Sequence, residues 1–126
     1  MIHGIGTDLL DARRMRRLLS RYGERLPERL LHDAEWEGFR GSRDPAHFLA
    51  RCFAIKEAVA KAMGTGVRGF GHHDVGSTRD VLGKPHLVFS TVLQQRLLDM
   101  GIDRGHVSLS DEGEMVLAFV VLEKSA

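Results

Sequence analysis

The sequence predicts an α+β fold, an antiparallel sheet packed on a long central helix, and three features predict it. Ala46 to Met63 has no internal glycine or proline, is rich in helix formers and stops at Gly64. Toward the C-terminus His106-Val107-Ser108-Leu109-Ser110 alternates, Asp111-Glu112-Gly113-Glu114 turns, and Met115 to Glu123 returns as a strongly apolar strand, which makes a hairpin. Strands and helices elsewhere do not follow strict βαβ order, so a doubly wound parallel sheet is disfavoured.

The elements follow in order. Met1-Ile2-His3-Gly4-Ile5-Gly6-Thr7-Asp8 reads as a strand with Gly4, Gly6 and Asp8 on one face, a face that something approaches closely. From Asp11 to Tyr22 the apolar residues Met15, Leu18, Leu19 and Tyr22 recur at helical spacing, with arginines over the rest of the surface, Asp11 as N-cap and Gly23 as stop. Glu24 to Gly38 reads as short helices broken at Pro27, and Gly41 to Pro45 as a loop. The central helix carries a core stripe of Phe48, Cys52, Ile55, Val59 and Met63, while Ala50, Ala54, Glu57 and Lys61 make a different face. Its alanines let a ligand or another backbone come close to the carboxylate. A glycine-rich connector from Gly64 through His72-His73 leads to a weak strand, Asp74 to Thr78. Leu82-Gly83-Lys84-Pro85 turns into the strand His86 to Phe89, and Ser90 caps a helix running to about Met100 and ended by Gly101.

With 126 residues, 43% hydrophobic and 28% charged, the chain reads as a single domain, 1–126, able to bury a core, and disordered and fibrous classes are excluded. Eighteen Lys plus Arg against 17 Asp plus Glu fall short of a general nucleic-acid binder, so an electrostatic partner must meet a local patch. The basic face of the first helix is either a solvated surface or such a patch, and as a patch it favours an acidic protein over nucleic acid. One cysteine permits neither an internal disulfide nor a zinc framework. Nothing reads as a bilayer span or a leader, and a cytoplasmic protein that binds no membrane is expected.

Two acids carry the chemistry. Glu57 and Lys61 form either an ordinary i,i+4 pair or a charge facing a cleft or subunit boundary. Asp8 is either a turn residue or, with Glu57, half of a magnesium site, since Mg²⁺ is held by one or two carboxylates plus substrate phosphate oxygens. His72 and His73 read as solvent-exposed loop residues without zinc spacing. His106, Ser108 and Ser110 share a strand face that would suit phosphate oxygens or simply meet solvent.

Gly4-Ile5-Gly6-Thr7-Asp8, Phe48-Leu49-Ala50 leading to Phe53-Ala54-Ile55-Lys56-Glu57-Ala58, Lys61-Ala62-Met63-Gly64-Thr65-Gly66, Leu82-Gly83-Lys84-Pro85 and His106-Val107-Ser108-Leu109-Ser110 stand in a characteristic order. Together, over Ile2 to Glu123, they resemble holo-[acyl-carrier-protein] synthase, the small bacterial type of 4′-phosphopantetheinyl transferase. The resemblance implies transfer of the 4′-phosphopantetheine arm of coenzyme A to a serine of apo acyl carrier protein in fatty acid biosynthesis, releasing adenosine 3′,5′-bisphosphate. Asp8 and Glu57 match the family's Mg²⁺ ligands and Lys61 the lysine near the phosphates, with Lys56 a helper. Gly64, Thr65, Gly66, Lys84, Pro85, His106 and Ser108 match segments around coenzyme A. The first helix resembles the docking surface for the acidic carrier protein, through Arg14 and Arg21 first and Arg13 and Arg17 as alternatives. Members resemble homotrimers with sites at subunit boundaries, so a neighbour would complete each pocket.

Two positions depart from the family. Where it commonly reads Arg-Phe-Ala-Ala-Lys-Glu, this chain has Cys52 before Phe53 and its arginine one place earlier, at Arg51, a rotation of about 100° on a helix. Asp111 stands where many members have histidine. A non-catalytic module that binds coenzyme A or carrier protein is the competing reading, and a small basic nucleic-acid binder is disfavoured by the net charge of +1 and by few aromatics.

Overall fold

The helix-forming run at the middle of the chain is bounded by side-chain chemistry. Asp44 caps it, accepting from the His47 N–H at 3.2 Å, Pro45 fills the first turn where its missing N–H costs nothing, and Gly64 at φ 83° ends it. In the computed structural model, which describes residues 1–66 and 69–125, the order is β1 (Ile2–Asp11), α1 (Ala12–Tyr22), α2 (Arg25–Leu30), a 3₁₀ turn (Asp33–Glu35), α3 (Trp36–Arg40) and α4 (Pro45–Met63). A second 3₁₀ turn (His72–Asp74), β2 (Val75–Arg79), β3 (Pro85–Phe89), α5 (Thr91–Asp99), β4 (Ile102–Glu112) and β5 (Met115–Lys124) follow. The connector expected after Gly64 includes positions 67 and 68, which lie outside the described residues.

Both sheets are antiparallel, one three-stranded in the order β1-β5-β4 and one the β2-β3 hairpin. Because side chains alternate along a strand, Leu10, Val116, Ala118, Val120 and Leu122 face α4 and are buried, while Ile5, Leu9, Met115, Leu117 and Phe119 face outward and are exposed. The buried residues of α4 include Leu49, Ala50, Ile55, Ala58, Val59 and Ala62, all at 2% exposure or less, and of these Ala58 and Ala62 meet β1 at Gly6 and Gly4. Burial thus extends well around the helix from the expected core stripe. No helix among the described residues is long and apolar enough to cross a membrane.

The close approach expected at the N-terminal glycines is made by α4. A Cβ on Gly4 would run into the carbonyl oxygen of Ala62, and one on Gly6 into that of Ala58. Gly6→Ala is therefore expected to cost about 3 kcal/mol, as overpacking against fixed backbone does, and urea unfolding measures it. A loss near zero would mean that β1 shifts off α4 freely.

Several boundaries differ from expectation, and three of the differences have a clear physical reason. Pro27 does not break a helix but sits in the opening turn of α2, where no intrahelical hydrogen bond is lost. β1 continues to Asp11, paired with Met115, before the same aspartate caps α1 by accepting from the Arg13 N–H at 2.9 Å. β4 extends well beyond the predicted five residues, from Ile102 to Glu112, because the apolar β5 supplies partners to a polar strand.

Candidate active site

Two groups of the expected site residues emerge, on different parts of the fold. The first gathers around the contact between β1 and α4. Period-two alternation puts Asp8 on the same face as Gly4 and Gly6, so its side chain meets α4 one step beyond the glycine contact. Lys61, one turn after Glu57, donates to the Thr7 carbonyl at 2.8 Å and to Asp8 Oδ1 at 3.4 Å. Burial raises the Glu57 carboxyl above its ordinary range, the neighbouring Asp8 charge raises it further, and Lys61 opposes both. Two carboxylates that repel each other across one lysine are hard oxygen donors suited to Mg²⁺, which needs only one or two such ligands alongside phosphate and water. Gly64, Thr65 and Gly66 follow directly, with the Gly64 N–H on the Lys61 carbonyl at 3.1 Å.

His72 joins this group without any signal in its local sequence. Partly exposed rather than free in solvent, its ring stacks on Phe53 with centroids 5.5 Å apart, and Nε2 lies 4.0 Å from Glu57 Oε1, while His73 is exposed as expected. That nitrogen is buried without a hydrogen-bond partner among the described residues. Burial and then the Lys56 and His73 charges lower its pKa, which favours the neutral ring.

The second group lines a cavity of about 960 Å³ between β3 and β4. Lys84, Pro85, His106 and Ser108 all border it, joined by Arg51, Arg79, His86 and Asp111. The turn before β3 is held by Asp80, whose Oδ1 accepts from the Leu82 and Lys84 N–H groups at 2.9 and 3.0 Å. The Gly83 carbonyl accepts from Arg79 at 2.9 Å. His106 Nε2 lies 3.1 Å from Glu123 Oε1 on the neighbouring strand.

A single copy does not bring the two groups together. Asp8 pairs with Ala118, which pairs with Leu109, so β5 lies between Asp8 and β4. His106 and Ser108, opposite Val121 and Phe119, point to the outward face, whereas Asp8 points toward α4. Lys56 joins neither group. At 2% exposure its Nζ donates to Glu35 Oε1 at 2.6 Å and to the Val75 carbonyl, which corrects the expectation of a helper at the phosphates. The reason lies in the fold, which lays the 3₁₀ turn of Glu35 and strand β2 over that side of α4.

On α1, Arg14, Arg17 and Arg21 are exposed, Arg21 lying over the Tyr22 ring at 5.3 Å. Arg13 is engaged by Asp11 at 2.6 Å, and that hydrogen bond holds the Asp11 carboxyl at about 2. Arg16 clamps Asp44 at 2.7 Å and Glu114 at 2.9 Å, tying α1 to the start of α4 and to the β4-β5 turn.

The family model of the 4′-phosphopantetheinyl transferase superfamily matches residues 4–114. The holo-[acyl-carrier-protein] synthase of Thiobacillus denitrificans is 57% identical over 127 residues, covering 100% of this chain and 97% of that protein. The crystal structure of holo-[acyl-carrier-protein] synthase from Neisseria meningitidis superposes with a TM-score of 0.94 at 43% identity, covering 98% of this chain and 100% of that one. That of the Bacillus anthracis enzyme in complex with CoA (3′,5′-ADP) superposes at 0.81 with 34% identity, covering 99% of each. With its antiparallel α+β architecture shared and its length matched almost end to end, this chain belongs to the holo-[acyl-carrier-protein] synthase family of the 4′-phosphopantetheinyl transferase superfamily.

Proposed function

We propose that the chain transfers 4′-phosphopantetheine from coenzyme A to a serine hydroxyl of apo acyl carrier protein, with Mg²⁺, releasing adenosine 3′,5′-bisphosphate. The observation that carries this reading is the pair Asp8 and Glu57, two carboxylates from different elements near enough for the Asp8 charge to raise the Glu57 carboxyl, with Lys61, one turn after Glu57, donating to Asp8. A module that only binds has no need of such a pair. In the transfer, the serine oxygen forms a bond to the phosphorus next to the pantetheine arm, the phosphorus–oxygen bond to the nucleotide phosphate breaks and its electron pair leaves on that phosphate, and the serine proton passes to solvent water. Asp8 and Glu57 would hold Mg²⁺, which when bound neutralises charge on the pyrophosphate and orients it. Lys61 stabilises the negative charge left on the departing phosphate. Lys84, Pro85, His106 and Ser108 bind the nucleotide end in the large cavity, with Gly64, Thr65 and Gly66 closing around the phosphates.

The same reading includes a homotrimer. Ile5 and Leu9 on the outward face of the sheet are 59% and 64% exposed, and Met115, Leu117 and Phe119 extend the patch. An apolar sheet face of this kind is commonly covered by a partner, and a neighbour packed there would bring its cavity to this copy's carboxylates. That supplies what one copy lacks.

The experiment is the intact mass of an apo acyl carrier protein after incubation with the chain, coenzyme A and Mg²⁺, beside EDTA and Asp8→Asn controls. A phosphopantetheine mass gain that vanishes in both controls is expected. No gain with several carriers, from a folded sample that binds coenzyme A, overturns the transferase reading in favour of a binding module. For docking, Arg14→Glu with Arg21→Glu is expected to raise KM for carrier protein about tenfold or more with kcat little changed, as loss of complementary charge does. An unchanged KM would put the docking face elsewhere.

A further inference from the structure

The lining of the large cavity contains a charge of the wrong sign. Arg51, Arg79, Lys84, His86 and His106 make it basic and suited to a phosphorylated ligand, yet the Asp111 carboxylate stands in the same wall. Facing the ligand alone, it would repel every phosphate that entered. It is not alone. Asp111 Oδ2 accepts from Arg51 Nη1 at 2.9 Å and lies 2.7 Å from His47 Nε2. His47 and Arg51 are four residues apart on α4, one above the other on the same helix face, so a single carboxylate from β4 meets both. Arg51 Nη1 is the only nitrogen of that guanidinium with a partner among the described residues, which leaves Nε and Nη2 available as donors. Arg51 also borders a second cavity of about 420 Å³ that reaches inward to Phe48, Cys52 and Ile55. Arg51 therefore lines both cavities.

We propose that Arg51 binds a phosphate group of the nucleotide portion of coenzyme A, and that Asp111, with His47, positions its guanidinium for that contact. The proposal rests on the coenzyme A reading above. A guanidinium fixed at one nitrogen keeps the rest of its planar fork for a phosphate and loses less side-chain freedom on binding than an unanchored one. The arginine one place out of register on the helix thus reaches the cavity because β4 supplies an acid to hold it. Asp111 is a positioning residue and Arg51 the ligand-binding one.

The two roles predict opposite signs from simple charge. If Asp111 acted only through its charge, removing it would tighten an anionic ligand; if it orients Arg51, removing it weakens the ligand, and only while Arg51 is present. Calorimetric titration of coenzyme A and of 3′-dephospho-coenzyme A into wild type, Arg51→Ala, Asp111→Ala, Asp111→Asn and the double alanine variant distinguishes them. Arg51→Ala is expected to weaken coenzyme A about 10- to 100-fold, the range for losing hydrogen bonds to a charged group. Asp111→Ala and Asp111→Asn are expected to weaken it about fivefold, and Asp111→Ala to have no further effect in the Arg51→Ala background. Loss confined to coenzyme A places the 3′-phosphate at Arg51, and equal loss for both ligands places the pyrophosphate there. Coenzyme A bound by Arg51→Ala within twofold of wild type, or bound more tightly by Asp111→Ala, overturns the proposal. A folded wild type that binds no coenzyme A overturns the functional reading itself, a separate result.

Discussion

Glu57→Gln is expected to remove phosphopantetheine transfer and, at neutral pH, to make the protein more stable. Loss of a group that merely supports a metal ligand costs about 10- to 100-fold, so loss of the carboxylate proposed as ligand is expected to exceed that range. The stability gain follows from the same carboxylate's surroundings. Burial, then the Asp8 charge, raise its pKa in the folded chain above the ordinary value of 4.5. Below pH 4.5 the group is neutral whether folded or unfolded, and its contribution to stability is fully present. As pH rises through the raised folded value, the unfolded chain ionises more readily and that contribution is lost. Glutamine does not ionise, so the Tm difference between variant and wild type is expected to open as pH climbs from about 4.5 toward neutrality. Added Mg²⁺ should raise the Tm of wild type but not of the variant, since a ligand that binds only the folded state stabilises it. Full transfer by Glu57→Gln at limiting Mg²⁺, or an equal response of both proteins to the ion, would remove Glu57 from the site.

Lys56→Met is expected to produce the largest loss of stability. Lys56 and Glu35 are 2% and 1% exposed and paired at 2.6 Å, and Glu35 also accepts from the His32 N–H at 3.0 Å and the Ser77 N–H at 3.1 Å. The pair joins α4, the first 3₁₀ turn and β2. Removing one partner strands a buried charge, which costs about 3–5 kcal/mol, or about 12–20 °C in Tm for a domain of this size. The paired variant Lys56→Met with Glu35→Leu is expected to recover most of the loss, because no charge is then left buried. A fall below about 3 °C for Lys56→Met, accompanied by weakened coenzyme A binding, would return Lys56 to the phosphates. The same burial, and then the Glu35 charge, push the Cys52 thiol well above its usual range, so Cys52 is inert as a nucleophile.

What could be read from the sequence was what depends on neighbours along the chain. The central helix, its glycine stop, the Ser90 cap and the C-terminal hairpin each follow from residues within a turn or two of one another, and all are present. Gly4, Gly6 and Asp8 could be placed on one face by alternation, though not the identity of what approaches them. The burial of Lys56 depends on Glu35, 21 residues away, and the Arg51 contact depends on Asp111, 60 residues away. No local pattern encodes such pairs. The glycine-rich setting of His72 says nothing of Phe53 or Glu57, which the fold brings to it. The family motifs gathered Asp8, Glu57, His106 and Ser108 into one site, whereas a strand separates them within a single chain.

The contact of Gly4 and Gly6 with Ala62 and Ala58 has a mechanical meaning for the two acids beside it. Asp8 and Glu57 are spaced by main chain resting on main chain, a junction with almost no side-chain volume to vary. Core substitutions elsewhere on α4 can therefore drift through evolution, changing how firmly the molecule holds together while leaving the gauge between the carboxylates where it was. Stability and spacing are set by different atoms.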